Sequence, residues 1–98
     1  MRPSVSIAQH RDQVHAILAH FRMANARLFG SVARGDDTEA SDLDILVDVP
    51  SGTTLYDLAR AELELEAILG CKVEVLTRAF LAPDVAENVE ADIKPIPW

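Results

Sequence analysis

The chain has few of the features that mark secreted, membrane-spanning or nucleic-acid-binding proteins. Cys71 is its single cysteine, so no disulfide forms within the chain, and a reducing, cytoplasmic location is expected. No run of about 18 apolar residues occurs, which predicts that no helix spans a membrane. Basic residues are also scarce, with nine Lys and Arg against sixteen Asp and Glu. Because phosphate backbones are bound through basic surfaces, direct contact with nucleic acid is not expected.

The composition is that of one small folded domain. Apolar residues make up 49% and charged residues 26% of the chain, a balance typical of globular rather than disordered proteins. A domain of this length buries about 60–65% of its unfolded surface, so we expect one compact core over residues 1–98. The net charge of −7 leaves two kinds of partner open: a polyphosphate carried in by divalent cations, or a basic protein.

Apolar residues at helical spacing predict two longer helices. Ser6 followed by Gln9 has the form of a capping box, and the apolar stripe behind it predicts a helix from about residue 6 to residue 23. Thr54 with Asp57 has the form of a second helix start, again followed by residues that share an apolar face. Both helices have one apolar side, so we expect them to pack against a sheet.

Alternation of apolar and polar residues predicts three strands and a further edge segment. They cover approximately residues 27–29, 43–47, 71–76 and 93–96. The connection 30–41 is rich in Gly, Ser and Asp and has room for one helical turn, and Pro83 is suited to open a short helix to about residue 91. The order α-β-(short α)-β-α-β-α predicts an α/β fold with helices packed on a small sheet.

Two carboxylates on the second predicted strand carry the clearest chemical information. Asp42 and Asp44 are two residues apart, so their side chains point to the same side, roughly 6.6 Å apart along the backbone. Carboxylates hold hard divalent cations, and two such ions about 3.5–4 Å apart align the attacking and leaving oxygens of phosphoryl transfer. Glu74, in the middle of the next strand, has the right parity to be the third carboxylate.

A Gly-Ser turn precedes this strand. Gly30 and Ser31 stand where a strand gives way to a helical turn, a place where free backbone N–H groups favour an anion. Gly30 allows the backbone to approach a phosphate, Ser31 adds a hydroxyl donor, and Arg34 is placed to pair with a triphosphate. Each motif alone is usually an ordinary turn, but a Gly-Ser turn followed by Asp-x-Asp on a strand is far more specific.

The acidic residues around these motifs are predicted to be structural. Asp36, Asp37 and Glu39 are typical of a solvated loop rather than of a ligand set. Asp48 shares the face of Asp44 but lies near the strand end, where a structural role is the better interpretation.

The joint pattern resembles the motif of the DNA polymerase β-like nucleotidyltransferase superfamily. Its residues here are Gly30-Ser31, Ala33-Arg34-Gly35, Ser41 and Asp42-Leu43-Asp44. Chain length and residues 71–81 resemble the minimal branch of that superfamily, the MNT-domain antitoxins, which are commonly encoded beside a HEPN-domain RNase toxin. The resemblance covers nearly the whole chain, and its specificity lies in residues 29–48. It implies a single-domain, palm-like α/β fold with helices on a small mixed sheet.

The resemblance also implies an activity: transfer of AMP from ATP to a tyrosine hydroxyl of the toxin, with two Mg²⁺ ions, which silences the toxin. Gly30 and Ser31 match the phosphate-binding pair of the family. Asp42 and Asp44 match its metal pair, and Glu74 stands where the family usually has Asp. Because Glu is one methylene longer, its carboxylate moves by about 1.5 Å, and a shift of about 1 Å costs about a hundredfold in rate.

Two alternatives remain open on the sequence. In the first, the acidic domain is a binding-only antitoxin that covers a basic toxin, and its nucleotide site is vestigial. In the second, the chain is the catalytic subunit of a split small-molecule nucleotidyltransferase, and a separate helical chain holds the acceptor. A nucleoside triphosphate is the expected substrate in both enzymatic interpretations.

Overall fold

A computed structural model of the protein describes residues 2–80 and 94–96, and the predicted helix that begins at Pro83 lies outside them. The elements in chain order are α1 Pro3–Gln9, α2 Arg11–His20, β1 Ala24–Phe29, α3 Gly30–Arg34, β2 Leu43–Asp48, α4 Leu55–Leu69, β3 Val73–Leu76, a 3-10 turn Arg78–Phe80 and β4 Lys94–Pro95. No helix in the described part of the chain is both long enough and apolar enough to cross a membrane.

The strands form one mixed sheet in the order β3-β2-β1-β4. β1 is antiparallel to β2 and to β4, whereas β2 and β3 run parallel, with α4 as the crossover between them. The predicted α/β class is therefore confirmed, and the edge segment predicted near the C-terminus is β4. β2 lies in the interior of the sheet between two hydrogen-bonded neighbours, which fixes the backbone that carries Asp44.

The N-terminal helix differs from its prediction. The spacing predicts one helix capped at Ser6, but the chain forms two helices that meet at His10, where φ is −119° and ψ is 29°. α1 begins at Pro3, whose fixed φ suits a first helical turn. Ser6 is 1% exposed, and its hydroxyl donates to the carbonyl of Leu69 at 2.7 Å. The hydroxyl therefore ties α1 to the end of α4 and does not cap the start of a helix.

α4 begins as predicted. The Thr54 hydroxyl accepts from the Asp57 N–H at 3.2 Å, and the Asp57 carboxylate accepts from the Thr54 N–H at 3.0 Å. This reciprocal capping box satisfies two N–H groups that the first helical turn leaves without partners. The helix then packs on the sheet through four buried residues: Leu58, Ala61, Leu65 and Leu69.

One apolar core joins the helices to the sheet. Leu43, Ile45 and Val47 of β2 are fully buried, as their alternation predicts. Leu46, on the opposite face of the same strand, is also fully buried. Val73 and Val75 bring β3 into the same core. Asp44 therefore lies on a strand that has buried apolar residues on both of its faces.

Candidate active site

Two carboxyl groups lie side by side on the parallel strands. The register of β2 and β3 pairs Asp44 with Glu74, so both side chains leave the same face of the sheet. They are close enough to share a proton in a hydrogen bond. The parity argument that pointed to Glu74 from the sequence agrees with this register.

This pairing changes the protonation of Asp44. Burial, together with the negative charges nearby, raises the pKa of Asp44 from 3.8 to about 6. Burial has the largest effect, because it disfavours the charged form. Glu74 adds to it through its charge and the shared hydrogen bond, Asp42 adds a smaller repulsion, and the positive charge of Arg34 opposes them. The cluster therefore favours the arrival of a proton or a cation.

The Gly-Ser turn meets Asp44 directly. Phe29, the last residue of β1, is the register partner of Asp44, so the turn that follows lies against this carboxylate. Gly30 has φ 71°, and a Cβ built there would lie 2.6 Å from Oδ2 of Asp44. Only glycine combines that backbone conformation with so close an approach. The sequence suggested that Gly30 makes room for a phosphate; the structure adds that it makes room for the carboxylate.

Ser31 and Arg34 lie on α3, the single helical turn that begins at Gly30. The turn is fixed from below by Val32 and Ala33, which are buried. Arg34 is exposed, its Nε lies 3.4 Å from the Asp36 carboxylate, and its charge reaches Asp44. The predicted phosphate-binding residues and the predicted carboxylates thus share one neighbourhood.

Asp42 lies just before β2 and is exposed. Its charge acts on Asp44, but among the residues that the structure describes no three His, Cys, Asp or Glu side chains converge into a metal cage as they stand. The donor chemistry fits magnesium, because Asp42, Asp44 and Glu74 offer carboxylate oxygens alone. The nearby charges of Glu74 and Asp42, which help to raise the pKa of Asp44, would also attract a cation.

The neighbouring acidic residues divide into two cases. Asp48 is structural as predicted: it accepts from Arg27 Nη2 at 2.6 Å and from Asn25 Nδ2 at 3.0 Å. Asp37 is not the solvated loop residue that the sequence suggested, because its side chain is 0% exposed.

Asp37 instead accepts from the Ser4 N–H at 3.0 Å, in the first turn of α1, and from Arg2 Nη2 at 3.3 Å. Burial raises the pKa of Asp37, but the hydrogen bonds from Ser4 and Arg2 outweigh it and lower the pKa below the usual value. Asp37 thus ties the connection between the Gly-Ser turn and β2 to the N-terminus of α1.

Comparison with known sequences gives consistent matches. Residues 9–95 match the family described as "Nucleotidyltransferase domain". A candidate protein adenylyltransferase of Methanocaldococcus jannaschii is 36% identical over 85 residues, which are 87% of this chain and 91% of that protein. The protein adenylyltransferase MntA of Thermococcus cleftensis is 34% identical over 73 residues, covering 74% of each protein.

Solved structures with the same fold are also found. A protein described as a candidate minimal nucleotidyltransferase superposes with a TM-score of 0.78 at 39% identity, over 97% of this chain and 95% of that one. A chain from a toxin–antitoxin crystal structure with AMP-PNP superposes with a TM-score of 0.76 at 19% identity, over 86% of this chain and 69% of that one. The second likeness concerns the fold.

Proposed function

The chain belongs to the nucleotidyltransferase domain family, and on that premise we propose that it is an antitoxin that transfers AMP from ATP to a tyrosine hydroxyl of a HEPN-family RNase toxin. Relatives named protein adenylyltransferases support a protein as the acceptor. Toxin–antitoxin structures among the solved neighbours support a toxin as that protein. The tyrosine and the HEPN class come from the resemblance of the sequence motif.

The observation that carries the proposal is the contact of three elements at one point. Asp44 and Glu74 are register partners on β2 and β3, and Gly30 lies directly against Asp44. A phosphate bound at the Gly-Ser turn would therefore meet the carboxylates that hold its counter-ions. Nucleotidyl transfer needs this coincidence, because negative charge grows on the transferred phosphoryl group as the new bond forms.

The proposed reaction is a substitution at the α-phosphorus of ATP. The tyrosine oxygen forms a bond to that phosphorus, the bond to the bridging oxygen breaks, pyrophosphate leaves, and the phenolic proton passes to solvent. Two Mg²⁺ ions would supply charge neutralisation and in-line alignment of the attacking and leaving oxygens.

The protein's own part is to bind and to orient. Asp42, Asp44 and Glu74 would hold the ions. Gly30 and Ser31 would hold the phosphates, and Arg34 would pair with the triphosphate.

Binding without catalysis is a second candidate, and the surface of α4 favours it. Leu55, Tyr56 and Leu63 are large apolar side chains, 65%, 68% and 66% exposed. Together with the net charge of −7, they suit a cationic partner that also offers apolar contacts. Occlusion of a basic RNase surface needs no nucleotide, so the two candidates require an experiment that separates contact from chemistry.

Replacing Asp42 and Asp44 with Asn separates them. Asn keeps the shape of each side chain and removes the charge that holds a cation. We expect the double variant to fold and to bind its partner, yet to leave the partner's tyrosine unmodified and the toxin active. Glu64→Gln, an exposed charge removal on α4, is the matched control and should transfer AMP normally.

The measurements are growth under toxin expression and intact mass of the partner recovered from the same cells. Full protection by the double variant, with no mass increase on the partner, would reject the enzymatic proposal in favour of occlusion. Loss of protection together with loss of the adenylyl mass, in a variant that still co-purifies with the toxin, supports catalysis.

A further inference from the structure

Two glutamates of α4 occupy the free backbone edge of β3. This strand is at one end of the sheet. Every second backbone N–H therefore faces outward, where there is no strand to pair with it. Glu66 Oε2 accepts from the N–H of Val73 at 3.0 Å, and Glu62 Oε2 accepts from the N–H of Val75 at 2.7 Å. The inner side is used by β2, whose Leu43 N–H donates to the carbonyl of Lys72 at 2.8 Å.

The spacing of the two glutamates on the helix matches the spacing of the two valine amides on the strand. Residues four apart on a helix are separated by about 6.0 Å along its axis, and residues two apart on a strand by about 6.6 Å. Glu66, the later residue on the helix, binds the earlier valine, so α4 runs antiparallel to β3. Both carboxylates are partly buried, and N–H donors to a charged acceptor form the stronger class of hydrogen bond.

Glu74 lies between Val73 and Val75, the two residues whose amides donate to the glutamates of α4. The side chains of its neighbours Val73 and Val75 are buried in the core, 2% and 1% exposed. Their amides are held at the edge by Glu66 and Glu62. The core contacts keep the strand in the sheet, while the edge contacts fix how far it is tilted and shifted along α4. The height of the Glu74 carboxyl group beside Asp44 depends on that shift.

We propose that Glu62 and Glu66 are positioning residues that hold Glu74 in place beside Asp44. The inference rests on the proposed role of Glu74 in nucleotidyl transfer. β3 has only four residues, and these carboxylates hold the amides of two of them. A carboxylate misplaced by about 1 Å is enough to lower a rate by about a hundredfold.

The test compares three variants of the full chain. In Glu62→Ala with Glu66→Ala, both edge acceptors are lost. In Glu62→Gln with Glu66→Gln, the side-chain carbonyl can still accept from the valine amides. Glu64→Ala removes an exposed glutamate of the same helix and serves as the control. Two readouts are needed: amide hydrogen exchange at Val73 and Val75 without nucleotide, and the kinetics of AMP transfer to the partner.

We expect the double alanine variant to exchange these two amides at least about tenfold faster and to lose about tenfold or more in kcat. Its KM for MgATP should change less than its kcat, because Gly30, Ser31 and Arg34, the proposed phosphate ligands, lie on other elements. The double glutamine variant should restore both exchange and kcat, which general destabilisation would not predict. Glu64→Ala should behave as the wild type.

Different failures have different meanings. Unchanged exchange at Val73 and Val75 in the double alanine variant overturns the positioning role, whatever the activity. If the wild type transfers AMP and the double alanine variant has the same kcat, the positioning role alone is overturned. A wild type that transfers no AMP in complex with its toxin overturns the proposed function. Should the double variant fail to fold, Glu62→Ala alone gives the same comparison at Val75.

Discussion

At Gly30, the backbone of the Gly-Ser turn lies against the Asp44 carboxylate. The positive φ of 71° and the 2.6 Å approach of a built Cβ are separate constraints, and they have separate costs. The first would apply to any side chain at this backbone conformation. The second would displace the Asp44 carboxyl group from its place beside the Gly-Ser turn. The proposed phosphate binding and the placement of the Asp44 carboxylate therefore depend on the same residue.

Gly30→Ala compared with Gly35→Ala isolates the second constraint. Gly35 has φ 79°, but a Cβ there meets nothing within 4 Å. Each alanine should cost roughly 1–2 kcal/mol for its left-handed backbone. Gly30→Ala should have a lower melting temperature than Gly35→Ala and should lose AMP transfer, whereas Gly35→Ala should keep it. Thermal unfolding and transfer assays measure both, and equal activity of the two variants would contradict the proposed importance of the Asp44 contact.

Asp44 also gives the stability of the protein a pH dependence. Its pKa is about 6 in the folded chain and near 3.8 when exposed, so the folded state binds the proton more tightly. Stability from this group is present below about pH 3.8 and is lost as the pH rises to about 6. Asp44→Asn should remove that loss and raise stability at pH 7.5, by on the order of 1–3 kcal/mol in the absence of metal.

Thermal scans of both proteins between pH 4 and 8 test this expectation. The melting temperatures should lie closest together at the acidic end and diverge as the pH rises through 6. A variant that is no more stable than the wild type at pH 7.5 would show that Asp44 is not under electrostatic strain.

Among the elements, those with local causes could be predicted from the sequence. The capping box of α4 needs only Thr54 and Asp57, three residues apart, and the alternation of β2 needs only its own residues. The side-by-side placement of Asp44 and Glu74 follows from strand parity once the two strands are taken as neighbours. The spatial centre of the candidate site could therefore be anticipated.

What could not be predicted depends on partners distant in the sequence. Ser6 has the local form of a helix cap, yet its hydroxyl bonds Leu69, 63 residues away. Asp37 lies in an acidic, polar stretch, yet its partner Ser4 is 33 residues away. The acceptors of the β3 edge are likewise side chains of another element. Nothing in the local pattern specifies these contacts, because each arises only when two elements are packed together.

The buried Asp37 carboxylate joins two elements, so its removal should destabilise the fold. Asp37→Ala removes the acceptor that joins the connection before β2 to α1 and leaves the Ser4 N–H without that partner. We expect a loss of about 1–3 kcal/mol in stability, which lowers the melting temperature by several degrees for a domain of this size. Asp36→Ala, at the exposed neighbouring position, should have little effect. Equal melting temperatures for the two variants would show that the buried contact does not anchor the connection.

On the scale of the whole molecule, charge and apolar surface are distributed differently. The carboxyl groups of the candidate site lie just before β2, on β2 and on β3, while the exposed Leu55, Tyr56 and Leu63 lie on α4. The exposed apolar residues and the Gly-Ser turn therefore belong to different elements, α4 and α3. This separation is what allows the Asn variants of Asp42 and Asp44 to distinguish binding from transfer.

The closed edge of β3 has one more consequence, which concerns solubility. An open strand edge recruits strands of other copies and is a common origin of aggregation. The carboxylates of Glu62 and Glu66 accept from the outward N–H groups of β3, so an incoming strand finds these donors already occupied. The negative charge of the two carboxylates also opposes the approach of another backbone. The variant with both Glu62→Ala and Glu66→Ala should therefore scatter more light than Glu64→Ala as the protein concentration rises, at temperatures well below unfolding. Identical scattering would mean that the helix shields the strand by bulk alone, and the two glutamates would then be dispensable for keeping the protein monodisperse.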